Sequence, residues 1–225
     1  MSEFHVAGLT LNLTDIDAAL QKLDLLYTDL DDRLSSYAAD SKNTVLCRAG
    51  CSHCCKSGGF FAVTLVEALR LNRAAAALAQ PQREFAMIAA RETLAQQSSI
   101  FAGIAGPPDQ PGHRDEATFS ARVSAVTRTH PSCPLLKDDL CSIYEGRPFL
   151  CRAYGYATDA YAVETAQTLV FRSLCVLYEG VHLRDYVRAK DLQSELAALS
   201  RSLTGGNDPG RFTLPEAILA REVPC

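Results

Sequence analysis

"CRAGCSHCC", residues 47–55, puts four cysteines into nine positions, two of them adjacent. Thiols at this density serve as disulfide partners, as buried packing, as redox groups or as metal ligands. At about 100° per helical residue, Cys47, Cys51, Cys54 and Cys55 share one arc of roughly 100°. A helix would aim all four the same way, although Gly50 weakens strict helicity, and a loop wrapped around an ion would serve equally well. A buried stripe would mix Cys with Leu, Ile or Val, since a free Cys packs as a small hydrophobe. This stripe contains no such mixture.

A second set lies downstream in "CPLLKDDLCSIYEGRPFLCRAY", residues 133–154, which holds Cys133, Cys141 and Cys151; Cys175 follows in "FRSLCVLYEG". With the first four they make eight candidate ligands, and Cys225 reads as a bystander. Eight thiols suit two tetrahedral sites of four, or one iron–sulfur cluster with four thiols left over. Thiolates select zinc, copper(I) or iron–sulfur centres over magnesium or calcium. Only Cys51 and Cys54 keep the two-residue gap of a zinc knuckle. The run Cys47-x3-Cys51-x2-Cys54 matches the three-cysteine loops that hold a cubane cluster in radical S-adenosylmethionine enzymes. The barrel-like strand–helix repeat of those enzymes is missing from the chain, but the spacing tilts the reading toward iron–sulfur. His53 and His130 read as neighbours of the thiols, because eight sulfurs already suffice for two centres.

The surrounding composition decides between staples and metal. The chain has 225 residues, 48% hydrophobic and 21% charged, enough to bury an ordinary core. Its first residues carry an acid early and lack a basic start followed by a long apolar run, and no apolar stretch is long enough to span a bilayer. The expectation is a cytoplasmic protein with no membrane partner. Cytosolic thiols stay reduced, so clustered cysteines point to metal or redox chemistry rather than disulfides. A net charge of −4 without a run of Lys and Arg argues against a nucleic-acid partner.

The periodicity predicts a mainly α fold: a helical domain with an irregular, loop-rich cysteine core and little β. Residues 1–40 are expected to form an N-terminal amphipathic helix packed on the domain, 41–205 the cysteine-cluster domain and 206–225 a tail. Ile16, Leu20, Leu23, Tyr27, Leu30, Leu34 and Tyr37 form one stripe of a helix over residues 14–38. The same stripe could form a homodimeric coiled-coil seam. Thr14 with Asp17, and Thr64 with Glu67, resemble capping boxes. FFAV, residues 60–63, reads as a short strand. Helices are expected from Thr64 to Leu78, from Gln82 to Gln97 after the break at Pro81, from Ala117 to Thr127, and over most of residues 162–203. A Pro- and Gly-rich loop covers 103–115, and 133–157 reads as a tightly specified irregular region. No internal repeat stands out.

Around the cysteines, Pro148 stiffens the turn between Cys141 and Cys151. Arg147 and Arg152 could offset thiolate charge, but ordinary salt bridges, including to Glu145, are the expected use. Tyr144, Tyr154 and Tyr156 fit either a shield for a cluster or plain core.

The two blocks "CRAGCSHCCKSGGFFAVTLVEA" and "CPLLKDDLCSIYEGRPFLCRAYG" resemble the YkgJ-like cysteine-cluster proteins, whose domain is described as zinc- or iron-chelating. The resemblance covers roughly residues 47–156 plus Cys175. It implies that Cys47, Cys51, Cys54, Cys55, Cys133, Cys141, Cys151 and Cys175 are the metal-binding set, with an iron–sulfur cluster or zinc or iron ions as cofactor. A similar domain occurs in flagellin lysine methylases, which implicate an iron–sulfur centre and S-adenosylmethionine, so methyl transfer is one version of the function. A thiol redox protein using Cys51 and Cys54, or Cys54 and Cys55, is another. It lacks the βαβ context of a thioredoxin-type motif.

Overall fold

The first thirteen residues are a hairpin. β1 (Ser2–Val6) and β2 (Leu9–Leu13) pair antiparallel with Val6 opposite Leu9. Ala7 and Gly8 both sit at positive φ, 51° and 80°, which is the left-handed two-residue turn that matches strand twist. Phe4, Val6 and Leu13 point into the core. The last strand, β9 (Arg221–Pro224), pairs with the other edge of β1, giving an antiparallel sheet of order β2-β1-β9.

The computed structural model describes residues 2–40, 42–43, 45–48, 50–57, 61–105, 121, 124–126, 129, 131–164, 169–172, 175, 177 and 185–224. In chain order after β2 come α1 (Ile16–Ala39), α2 (His53–Ser57), β3 (Ala62–Val63), α3 (Leu65–Ala76) and α4 (Gln80–Ala105). There follow β4 (Leu136–Lys137), β5 (Leu140–Cys141), a 3₁₀ turn (Tyr144–Gly146) and α5 (Phe149–Ala153). β6 (Thr158–Glu164), β7 (Leu169–Arg172), α6 (Lys190–Leu203), β8 (Phe212–Thr213), α7 (Leu214–Leu219) and β9 complete the described elements. The fold is mainly α, with small sheets. Among the described residues, no helix is long and apolar enough to cross a membrane.

All seven residues of the predicted stripe on α1 are buried. They face α3 and α6 of the same chain, so this stripe is consumed internally and leaves no coiled-coil seam on that face. The cap differs from expectation. Asp15, at φ 53°, precedes the helix and no side chain caps it, so the Thr14–Asp17 pattern is not used. Arg33 on α1 reaches α6, forking onto Asp191 at 3.0 Å while holding Asp29 one turn away.

The start of α3 uses the predicted box: the Glu67 carboxylate accepts from the Thr64 N–H at 2.9 Å and its hydroxyl at 2.8 Å. The same device recurs at Thr213 and Glu216, which open α7 with Pro215 in the first turn. β3 and β8, the strands leading into these boxes, pair antiparallel. "VTLVEAL" (63–69) and "FTLPEAI" (212–218) are thus two copies of one strand–cap–helix unit, a repeat too short to have stood out. Asn72 of α3 closes the far end of α7, donating to the carbonyls of Ala217 and Ala220 at 3.0 and 2.8 Å.

Three other expectations change. Pro81 lies in the first turn of α4, where its missing N–H costs nothing, and that helix runs on to Ala105. Of the expected helix over 162–203, the described residues place 162–164 in β6, 169–172 in β7 and 190–203 in a helix. The tail contributes β9 to the main sheet. Most of 106–128, which includes much of the expected loop and the helix over Ala117–Thr127, lies outside the described residues.

Candidate metal centre

The cysteine segments approach one another because three short pieces are pinned in place. Cys47 and Cys51 sit on the loop before α2, where Gly50 turns at φ +82° and the Cys51 N–H donates to the Arg48 carbonyl at 3.0 Å. Cys54 and Cys55 lie on α2. A single helix through all four is therefore not formed.

The second segment begins where the Cys133 N–H donates to the Cys55 carbonyl at 2.7 Å. It continues through the β4–β5 hairpin, in which Leu136 pairs with Cys141. Asp138 and Asp139 form the turn, both at positive φ, 50° and 62°. Asp139 also reaches back to α2, pairing with Lys56 and accepting from Ser52 at 3.3 Å. Lys56 first, and Ser52 further, hold the Asp139 carboxyl below its usual range.

α5, which carries Cys151, is oriented by Glu67. The free oxygen of that carboxylate accepts from the Phe149 N–H at 2.8 Å and the Tyr27 hydroxyl at 3.2 Å. Arg152, beside Cys151, is buried against the Tyr27 ring, 4.4 Å from its centroid. It pairs with Asp31 and donates to the carbonyls of Glu145 and Arg147, the latter at 2.8 Å. The expected ion pair to Glu145 is thus a bond to that residue's carbonyl. One buried cluster of Tyr27, Glu67 and Arg152 ties α1, α3 and α5 behind the cysteines.

The result is a cavity of about 290 Å³ whose wall includes all eight candidate cysteines, Cys47, Cys51, Cys54, Cys55, Cys133, Cys141, Cys151 and Cys175. Phe61, Leu135, Ile143 and Leu214 supply apolar wall, and Arg48 and Arg147 nearby positive charge. Cys133 and Cys175 are buried and the other six half-buried, and all eight carry thiols rather than disulfides. The Cys54 and Cys55 sulfurs lie 4.0 Å apart. Cys47 packs against Gly155, where a Cβ would come within 2.7 Å of its Sγ. Among the described residues, no three Cys, His, Asp or Glu side chains have closed to coordinating geometry around a single point. The thiols converge on a volume.

Burial pushes the thiols toward their neutral form. It is the leading cause for Cys47, Cys141, Cys151 and Cys175, and neighbouring sulfurs add to it at each. Cys55 is pushed up to about 12, first by its hydrogen bond to the Cys133 thiol. Cys54 is raised by its bond to Cys55 and by burial. Arg147 works against this at Cys47, Cys141 and Cys151. Its guanidinium lies over the Tyr144 ring, 3.5 Å from the centroid, and donates to the Tyr144 carbonyl at 2.8 Å.

The tyrosines separate. Tyr144 and Tyr154 line the cavity, Tyr154 leaning on Phe61 at 5.1 Å between ring centroids. Tyr156 packs edge-on against Tyr37. His53 opens α2 and is not among the cavity-lining residues. His130 and Cys225 lie outside the described residues.

A family model named CxxCxxCC and described as "Putative zinc- or iron-chelating domain" matches residues 46–176. The chain belongs to this family. The CxxCxxCC match takes in the cysteine loop, α2, the β4–β5 hairpin, α5 and Cys175, and so spans the whole cavity wall of thiols. The family's name gives two residues between the first and second cysteines, whereas this chain has three, 48–50; Gly50, in the left-handed region, turns the longer loop. No curated protein and no solved structure matches the chain.

Sequence reasoning read Glu67 only as a helix cap and passed over Asp31, Asp139 and Gly155. The Asp138-Asp139 dipeptide between Leu-Lys and Leu-Cys was a legible turn signal, since Asp tolerates positive φ. Nothing local marked Asp31 or Gly155, whose roles depend on distant segments.

Proposed function

We propose that this protein binds zinc or iron through cysteine thiolates, with the eight cysteines of the cavity as the ligand set. One observation carries the reading: sulfurs from residues 47–55, 133–151 and 175 line a single cavity. Such a donor set suits a thiophilic metal and offers no oxygen cage for calcium or magnesium. Arg147 would offset the charge of thiolates that shed their protons to the metal. Six of the eight thiols are only half-buried, which suits a metal that exchanges with solvent more than a sealed structural ion. Reduced thiols of this kind suit a cytoplasmic setting.

A second reading, an iron–sulfur centre, is favoured by Cys47-x3-Cys51-x2-Cys54, and it leaves open a role with S-adenosylmethionine. Metal and acid-labile sulfide analysis of anaerobically purified protein decides between them. Zinc or iron at one or more equivalents without sulfide supports the ion reading. A brown protein with matching iron and sulfide supports the cluster. A folded protein that takes up neither metal refutes both.

A further inference from the structure

β9 and the first half of α4 face each other across a groove that shares no residue with the thiol cavity. β9 is an edge strand: it pairs with β1, and no other strand lies beside it among the described residues. In that register Glu222 stands opposite Phe4, and Arg221 opposite His5. Phe4 is buried, so Glu222 leaves the inner face of the sheet, where it holds Arg73 of α3 through two bonds of 2.9 and 2.8 Å. Arg221 leaves the opposite face, because neighbours along a strand alternate. The groove touches both residues. A groove that reaches side chains of both faces runs along the edge of the strand.

Its floor is apolar. Ala75, Ala86 and Ile218 are buried there, and Ile88 of α4 stands 46% exposed beside them. The volume is about 690 Å³, within the span of about 300–1,000 Å³ usual for ligand sites. Its rim is cationic, in a chain whose net charge is −4. Arg73 is neutralised by Glu222 and by Asp17. Arg83 meets neutral oxygens, the Ala76 carbonyl at 3.3 Å and the Gln80 side chain at 3.1 Å. Arg91 and Arg221 pair with no carboxylate among the described residues. Of the lining acids, Glu84 is left to offset these three arginines.

We propose that this groove binds an extended acidic segment of another protein, which adds as a strand to the free edge of β9. Main-chain bonds to the edge supply part of the affinity in such strand addition, and the alternate side chains supply specificity. Pro224 ends the ladder, since it has no N–H to offer. The rest of the affinity falls to the apolar floor and to the arginines on both walls. Charge on an edge strand by itself serves to keep other chains away. A deep groove beside that edge, with apolar side chains at its base, gives an incoming strand something to bury. Charge also argues against a second copy as the occupant: two such grooves meeting edge to edge would bring unneutralised arginines together.

The probe is a fluorescein-labelled peptide in which Glu alternates with Val, titrated with the whole chain and followed by fluorescence anisotropy. Wild type is expected to bind it, and added salt to weaken the complex. Arg91→Gln/Arg221→Gln breaks no intramolecular ion pair, so thermal unfolding should stay unchanged while binding weakens about tenfold. Two further peptides are methylated on alternate backbone nitrogens, one set each. The one that loses the N–H groups facing β9 is expected to bind about tenfold more weakly. No binding by wild type, equal binding of a peptide with Lys in place of Glu, or full affinity in the double variant overturns the proposal. Full affinity of both methylated peptides refutes strand addition. Dimerisation of wild type that the double variant abolishes would give the edge to a second copy. Complete displacement of the peptide by inorganic phosphate at matched ionic strength would give the groove to a small anion. Either result overturns the proposal.

Discussion

Replacing Glu67 with Gln keeps the shape of a buried side chain and changes what it can accept. The carboxylate takes four hydrogen bonds, two on each oxygen: Tyr27 O–H and Phe149 N–H on one, Thr64 N–H and O–H on the other. Gln must turn its NH2 toward one of these pairs. In either orientation a hydroxyl can rotate to accept, but a main-chain N–H, of Thr64 or Phe149, is left facing a donor. An orphaned buried donor costs about 1–3 kcal/mol, and the two remaining bonds lose their charge assistance, about 1 kcal/mol more. The expected loss is therefore about 2–4 kcal/mol, a fall in melting temperature of roughly 5–12 °C for a chain this size. Tyr27→Phe, which removes one of the four donors and leaves the charge in place, should cost only about 1 kcal/mol. Urea unfolding at matched metal content, with the slope unchanged, measures both. If Glu67→Gln lies within 0.5 kcal/mol of wild type, or Tyr27→Phe costs more than Glu67→Gln, the claim that this carboxylate joins α1, α3 and α5 is wrong.

Gly155→Ala would drive a Cβ to within 2.7 Å of the Cys47 sulfur; metal affinity should drop with a stability loss of about 1–3 kcal/mol, and unchanged metal retention by competition with a chelator would count against the contact. Arg152→Lys gathers its donors on one nitrogen, which cannot reach Asp31 and the two carbonyls that the guanidinium meets from three separate nitrogens, so thermal unfolding should show a loss of about 2–4 kcal/mol despite the retained charge. Arg147→Gln, leaving the fold nearly unchanged by circular dichroism, should weaken metal binding about tenfold; equal affinity would remove Arg147 from the site. Arg33 holds the Asp191 carboxyl below its usual range. The stability from this pair is therefore complete above about pH 4 and fades as pH falls through the lowered folded-state value. Both Asp partners are about half exposed, so the difference between wild type and Arg33→Ala at pH 7 should stay below about 1 kcal/mol and shrink in strong acid, where the Arg33 donation to the Arg188 carbonyl at 2.8 Å is what remains.

Side chains with a periodic neighbourhood were legible before the structure. The α1 stripe and the Thr64–Glu67 box depend on residues three and four apart, and both are used as read. The second box, Thr213–Glu216 with Pro215, carried the same signal but stood in what looked like a tail. The β1–β2 hairpin was hidden because Ala7 adopts positive φ, a conformation its residue type does not advertise. The strands of 158–172 escaped because short apolar runs have no period that separates strand from helix. The eight cysteines of the cavity were named from spacing and resemblance. Their supports were not, since Asp31 and Arg152 are 121 residues apart, and Phe149 and Glu67 are 82 apart. No local pattern encodes partners at such range.

β1 occupies the middle of its sheet, yet one of its two neighbours is β9, over two hundred residues later in the chain. At ribosomal speeds of about 5–20 residues per second, the β1–β2 ribbon waits roughly ten to forty seconds with one edge bare. Glu3, half exposed on that strand with its carboxylate 3.2 Å from the His5 ring, puts charge where a stray strand from another nascent chain would have to dock.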